Sequence, residues 1–462
     1  MSNDLFNEFD PVSAKQWKQK IQYDLDGADY NKTLLWKTNE DISVKPFYHA
    51  DDFIALPETS NTKASHWKIG QSIYVTDVNK SNLKAIKFIK NGAESIKFIL
   101  PNELVSVSDL LKNIDRNSTE LHFELQFLSA DFIKQFPVNA TNEGLHIHTD
   151  IIGNLAKEGN WFSNLNDDFK MFDTIVKTTN AFSVDASLYQ NAGANMVQQL
   201  AYAIAHANEY LNRLGEVIAS DPDSCREKQS VTCIFNVSVG SNYFFEIAKL
   251  RALRLLWSTL AAPYGFNQNC TIYATPTKRN KTLYDYNTNL LRTTTECMSA
   301  ILGGANTIDN LAYDSFFIKT NAFSTRMARN QLLVLKHESY FDKVDNPADG
   351  SYYIETITNQ LAEKALELFK DIEAHGGFLK QLKEGIIQRK IKESAAKEQQ
   401  QFDAGHITLL GTNLFENPDD KMKESLQLYP FVKTKQRKTW IEPIIEKRLS
   451  EKIEQQRLKN ES

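Results

Sequence analysis

Cys225, Cys233, Cys270 and Cys297 are the only cysteines in 462 residues, and no two approach a Cys-x-x-Cys spacing. That scarcity argues against a disulfide framework and a structural zinc site, and leaves buried, reduced thiols in a cytoplasmic protein as the expectation. Positive charge is not in excess either. A formal net charge of −5 gives no basic footprint able to neutralise a phosphate backbone, so nucleic acid is not an expected partner. No run reaches the ~20 apolar residues needed to cross a bilayer. The N-terminus, MSNDLFNEFDP, lacks both the apolar core of a secretion signal and the Arg-rich pattern of a transit peptide, which again points to the cytoplasm. Internal repeats and low-complexity linkers are missing as well.

What is present suits a large soluble core, with 42% hydrophobic and 24% charged residues. One (β/α)8 barrel takes about 250 residues and carries extensions at both ends. Trp17, Ile21 and Leu25 predict a short helix, and Leu34–Tyr48 reads as an arm that must pack on something else. From about residue 70 strand-like runs alternate with longer helical stretches. The expected strands are Ser95–Leu100, Leu121–Leu128, Gly144–Asp150, Ala181–Ser187, Val231–Val239, Cys270–Thr275, Ala305–Ile308 and Ser351–Glu355. Amphipathic helices lie between them, with Val197, Leu200, Ala201 and Ile204 on one apolar face and Leu361, Ala365, Leu368 and Phe369 on another. This alternation suits a closed parallel barrel, though an open doubly wound sheet uses it too. Lys380–Gln401 predicts a solvated helix, and Pro443 is expected to open a last helix bearing Ile445, Leu449 and Ile453.

Generic motifs carry little. His146 and His148, two apart on a strand, face one side and would share a metal only with further ligands, so no metal site is expected. Gly303-Gly304 lacks the spacing of a dinucleotide loop, and Lys278-Arg279-Asn280-Lys281 reads as an exposed loop.

Longer blocks are more specific. They include Asn191-Ala192-Gly193-Ala194 before Val197-Gln198-Gln199-Leu200-Ala201, Phe244-Phe245-Glu246-Ile247-Ala248-Lys249, Asn289-Leu290-Leu291-Arg292-Thr293, Leu302-Gly303-Gly304, Arg326-Met327-Ala328-Arg329-Asn330 and Gly350-Ser351-Tyr352-Tyr353-Ile354-Glu355. In order and spacing the chain resembles the methylmalonyl-CoA mutase family over nearly its whole length, and within it the small, non-catalytic subunits. The resemblance implies a (β/α)8 barrel enclosing a CoA ester, and a radical interconversion of succinyl-CoA and methylmalonyl-CoA initiated by adenosylcobalamin. It also implies an aromatic wedge beside the cofactor, a cation for the substrate carboxylate and a proton donor to the thioester carbonyl.

Matched position by position, the reactive residues are replaced. The wedge tyrosine of an Arg-Gln-Tyr-Ala motif corresponds to Ser72 in Gly70-Gln71-Ser72-Ile73. The arginine of an Ala-Arg-Gly-Thr-Tyr segment corresponds to Glu158, whose charge would repel a carboxylate. The histidine before Met-Gln-Glu-Ala-Gly corresponds to Leu188, which donates no hydrogen bond. None of the nine histidines follows an aspartate by two, as the cobalt-ligating Asp-x-His-x-x-Gly loop requires, so no cobalamin domain is expected.

The resemblance therefore implies no catalytic, cofactor-binding or metal residues in this chain, with adenosylcobalamin held by a large-subunit partner in a heterodimer. An active barrel borrowing cobalamin from a separate binding subunit is the alternative, and a barrel hydrolase using His146 and His148 a distant third. The expected organisation is an N-terminal helix and interface arm over residues 1–70, the barrel over 71–385, and a C-terminal helical extension over 386–462.

Overall fold

In barrel strands such as Glu120–Leu125 and Leu145–His148 polar and apolar residues alternate, and the pleat sends the two sets to opposite faces. The computed structural model describes residues 10–55, 57, 60, 62–136, 144–220, 228–433 and 436–461. Its strands are β1 (Lys68–Tyr74), β2 (Ser95–Leu100), β3 (Glu120–Leu125), β4 (Leu145–His148), β5 (Ala181–Asp185), β6 (Thr232–Val239), β7 (Cys270–Pro276) and β8 (Thr307–Asp309). They hydrogen-bond in the order β4-β3-β2-β1-β8-β7-β6-β5, with every ladder parallel. At the remaining seam the Ser183 amide donates to the Thr149 carbonyl at 3.2 Å, so the sheet nearly closes into the expected (β/α)8 barrel.

Outward residues such as Ile96, Phe98, Leu121 and Phe123 are buried under the surrounding helices, each contributing roughly 1.5–3 kcal/mol. The helices Met196–Ser220, Tyr243–Tyr264 and Tyr352–Ala374 cover another side, around Phe172, Phe182, Tyr210 and Trp257. Among the described residues no helix is long and apolar enough to cross a membrane. Cys233, Cys270 and Cys297 are free and buried, and Cys225 lies outside the described residues.

Three expectations need correction. Ser351–Glu355 is no strand: it begins the helix Tyr352–Ala374, because Ile354, Ile357 and Leu361 continue an apolar face with helical spacing. The eighth strand is instead Lys68–Tyr74, which pairs with both β2 and β8.

Pro443 opens no helix either. Residues 437–449 form an extended strap whose amides bond to helix ends and loops at the C-terminal mouth of the barrel. The amides of Trp440 and Ile441 donate to the Gly159 carbonyl (2.9 and 3.1 Å), Ile444 to Ala156 (2.8 Å), Lys447 to Asn191 (3.0 Å) and Leu449 to Arg279 (2.9 Å). Helix begins only at Glu451. Gly159 makes this approach feasible: it caps the helix Ile151–Glu158 at φ +76°, and a Cβ there would lie 2.7 Å from the Ile441 carbonyl oxygen.

The third correction concerns Lys278–Lys281. Only Lys278 is exposed; Arg279, Asn280 and Lys281 are buried. Arg279 pairs with Glu398 at 2.6 Å and donates to the Lys447 carbonyl at 2.8 Å, while Lys281 pairs with Glu296 at 2.7 Å.

The arm finds part of its burial on the chain itself. Trp36 meets Phe245 edge-on at 5.9 Å, Tyr48 lies 5.2 Å from Tyr353 and Phe53 lies 5.5 Å from Tyr352. Trp17 and Trp36 nonetheless remain 51% and 52% exposed.

Candidate functional site

The inward face of the barrel is polar, whereas barrels of this architecture are ordinarily filled with branched aliphatic side chains. Ser72 from β1, Lys97 from β2, His122 from β3, His148 from β4, Asn236 from β6 and Tyr273 from β7 all reach the axis. In sheet order β3 and β7 stand diametrically opposite. The His122 and Tyr273 rings nevertheless meet at 4.9 Å between centroids, and His148 lies 5.9 Å from the same tyrosine. Lys97 Nζ sits 4.8 Å above the Tyr273 ring and pairs with Glu124 at 2.7 Å. Side chains from opposite walls therefore close the axis at this level.

A chain of hydrogen bonds fixes the imidazoles. The Asn236 amide donates to His148 Nδ1 (3.0 Å), which leaves the proton on His148 Nε2 to donate to His122 Nδ1 (2.9 Å). His122 Nε2–H then faces Glu120 Oε1 at 3.3 Å, without the alignment of a full hydrogen bond. His146 Nε2 lies 2.8 Å from the same oxygen, and Lys68 Nζ lies 2.9 Å from Glu120 Oε2. Burial pushes His122 down to about 4 and His148 well below the ordinary imidazole value. Burial alone would raise Glu120, but the imidazoles of His122 and His146 beside it hold it well below the carboxylate range.

Acid should loosen this network. Between pH 6.5, where a free imidazole titrates, and about 4, where His122 does, the unfolded chain binds a proton that the folded one refuses. Stability is therefore complete above about 6.5 and falls as the pH drops, by about 3 kcal/mol from His122 alone. Urea midpoints of wild type and His122→Gln, measured at pH 7.5 and 4.5, check this. The variant should lose about 2–3 kcal/mol less than wild type across that interval; equal losses would remove His122 as the cause.

The sequence pairs His146 with His148, but the fold separates their partners. Among the described residues Glu120, His122 and His146 bring three ligand atoms within 4.8 Å of one another, while His148 turns to His122 and Asn236. His122 stands 26 residues before His148, and only strand pairing joins them, so no local sequence signal links the two. The Lys68 ammonium already compensates Glu120 and would repel a dication. Elemental analysis of protein purified without an affinity tag should find far less than one zinc per chain. A full equivalent, lost on His146→Ala, would make this a metal centre.

Of the three positions singled out in the sequence, two come together. Glu158 and Leu188 line one cavity of about 770 Å³ between the barrel mouth and the strap, whereas Ser72 is absent from its wall. Glu158, the last residue of its helix, is held by Arg437 Nη2, which donates to its carboxylate (2.6 Å) and to its backbone carbonyl (2.7 Å). Leu188 is buried in the short helix Ser187–Asn191. The Ser72 hydroxyl donates to Asp309, which also accepts from the Tyr273 hydroxyl at 3.0 Å. Burial raises the Asp309 carboxyl.

Lys157, which sequence reading passed over, also lines this cavity; the carboxylates of Asp185, Glu446 and Glu124 oppose the effect of its burial and hold its charge firmly. Its position next to Glu158 was the available signal.

A family model described as methylmalonyl-CoA mutase matches residues 133–460. The methylmalonyl-CoA mutase small subunit of Porphyromonas gingivalis is 35% identical over 444 residues, covering 89% of this chain and 71% of that one. A methylmalonyl-CoA mutase of Rhizobium meliloti is 27% identical over 478 residues, covering 90% and 66%. A probable methylmalonyl-CoA mutase large subunit of Mycobacterium tuberculosis is 33% identical over 253 residues, covering 54% of this chain and 33% of that one. The chain thus spans about two thirds of the length of the mutases that it matches along most of its own. The family model takes in the barrel from the helix after β3 onward, well over half of the chain, and the chain belongs to the methylmalonyl-CoA mutase family.

Proposed function

We propose that this chain is the small, non-catalytic subunit of a heterodimeric, adenosylcobalamin-dependent methylmalonyl-CoA mutase, acting in the cytoplasm and stabilising a catalytic large subunit. The observation that carries this reading is the closed axis. A barrel that encloses a CoA ester must leave room for its pantetheine arm, and here His122 and Tyr273 touch across the diameter. The reactive positions point the same way. Where the family's wedge would stand, Ser72 is bonded to Asp309; where its cation would stand, Glu158 is bonded to Arg437. The residues at the mouth do not fit cobalamin, since the strap already lies against Asn191, Lys278 and Arg279.

An active barrel that borrows cobalamin would still need its own wedge, cation and proton donor. The isolated Leu188→His variant tests the distinction. It should show no mutase turnover, because groups that act as a unit recover little from one repair. Measurable turnover with added cobalamin-binding subunit would favour the borrowing barrel.

A further inference from the structure

On the outer wall of the barrel, over the adjacent strands β1 and β8, lies a cavity of about 600 Å³ between the helices Val78–Lys90 and Ala322–Leu333. Four cations line it, Lys84, Lys87, Arg326 and Arg329, and no aspartate or glutamate does. Among the described residues none of the four has an ion-pair partner. Arg329 is the telling member. It is only 6% exposed, its Nη1 donates to the neutral Gln71 side chain at 2.9 Å, and its Nε has no partner. Burial and the neighbouring Arg326 both disfavour its charge, and no acid offsets them. Buried charges in folded proteins are ordinarily paired, so this one lacks its counter-charge.

The surroundings specify what would supply it. A guanidinium presents a planar fork of donors that matches phosphate, and lysines add charge without geometry. The helix Ala322–Leu333 begins at the cavity rim: Asn321 caps the Ser324 amide, and Asn321, Ala322 and Phe323 all line the cavity. Two aromatic rings complete the site. Arg329 lies 5.8 Å and Lys84 5.4 Å from the Phe88 ring, and the half-exposed Phe323 carries Arg326 at 5.7 Å. A cavity of this size falls within the range of small-molecule sites.

We propose that this groove binds a nucleotide, its phosphates on Arg329, Arg326, Lys84 and Lys87 and its base against Phe323. Free nucleoside diphosphate and the nucleotide end of a CoA molecule share that chemistry. The site lies outside the barrel and is separate from the axis and from the strap cavity.

Calorimetric titration of the full chain with ADP, CoA, pyrophosphate and adenosine at low salt tests it. ADP should bind and pyrophosphate should bind more weakly, while adenosine, without phosphate, should bind about 100-fold more weakly than ADP. Affinity should fall steeply with salt. Arg326→Gln combined with Lys87→Gln, both at exposed positions, should weaken ADP about 10-fold or more. Phe323→Ala should weaken ADP while leaving pyrophosphate unchanged. CoA binding about 10-fold tighter than ADP assigns the site to CoA, and equal affinity assigns it to free nucleotide. Failure of ADP, CoA and pyrophosphate all to bind at millimolar concentration overturns the proposal, as does binding that these substitutions leave unchanged.

Discussion

Co-production with a mutase large subunit is expected to turn this chain from an inactive protein into one partner of an active one-to-one complex. Alone it should show no mutase turnover and retain no cobalamin; the complex should do both. The warrant is a folded barrel whose axis is crossed by His122 and Tyr273 and whose Ser72 and Glu158 are engaged by Asp309 and Arg437, which is consistent with the proposed stabilising role. Binding only the folded partner stabilises that partner by mass action. The arm offers the surface: Trp17 and Trp36 keep about half their area exposed although Phe47 and Phe245 pack against them. Deleting residues 1–48 should therefore weaken the complex more than it disturbs the barrel. Size-exclusion chromatography with an absorbance scan for cobalamin reads both halves. Elution apart from an active large subunit, or cobalamin held tightly by this chain alone, would end the subunit reading.

Lys281→Met should be the most damaging single substitution near the strap, costing about 3–5 kcal/mol. Lys281 Nζ donates to both Glu296 oxygens (2.9 and 2.7 Å) and to Asn280 Oδ1 (2.6 Å), and both charged groups are almost wholly buried. Burial pulls the ammonium down and pushes the carboxyl up, so each charge persists because of the other. Removing the lysine leaves Glu296 in a low-dielectric site with Asn280 as its hydrogen-bond donor and the more distant Arg292 as the nearby cation. The damage spreads to the strap, because the Lys281 carbonyl accepts from Arg448 at 3.0 Å. Replacing both partners, Lys281→Met with Glu296→Leu, should recover most of the loss, since well-packed apolar groups often match a buried ion pair. Urea unfolding of the three variants measures it. A single mutant as stable as wild type would mean that the pair contributes nothing to the fold.

These residues also mark how far the sequence could be read. Ser95–Leu100 was legible because a β-branched and aromatic run ends sharply at Pro101. Lys68–Tyr74 does not read as a strand because Gly70 and Ser72 dilute its apolar residues, and its pairing with Thr307–Asp309 is visible only in three dimensions. Tyr352, Tyr353 and Ile354 have strand-like composition, yet they serve a helix whose first turn stacks on Tyr48 and Phe53 of the arm. Lys281 reads as part of an exposed loop because nothing local announces that Glu296 pairs with its ammonium and Arg448 with its carbonyl. The polar axis was half legible. Alternation in Glu120–Leu125 and Leu145–His148 marks two faces, but which face turns inward depends on the helices outside. Position-by-position resemblance located Ser72, Glu158 and Leu188; their engagement by Asp309, Arg437 and the strap cavity needed coordinates.

The pairing of the first barrel strand with the last has a consequence for synthesis. Thr307, Ile308 and Asp309 must pair with Lys68, Ile69 and Gly70, so one edge of β1 stays open while roughly 240 further residues are made. At about 5–20 residues per second that is on the order of 10–50 s of exposed edge, and the strap arrives later still. Long-range closure of this kind is slow and leaves nascent chains open to edge-to-edge association. A chain that completes its barrel so late gains from chaperone shelter until β8 emerges. Truncation anywhere before Thr307 should yield aggregates and no smaller folded barrel.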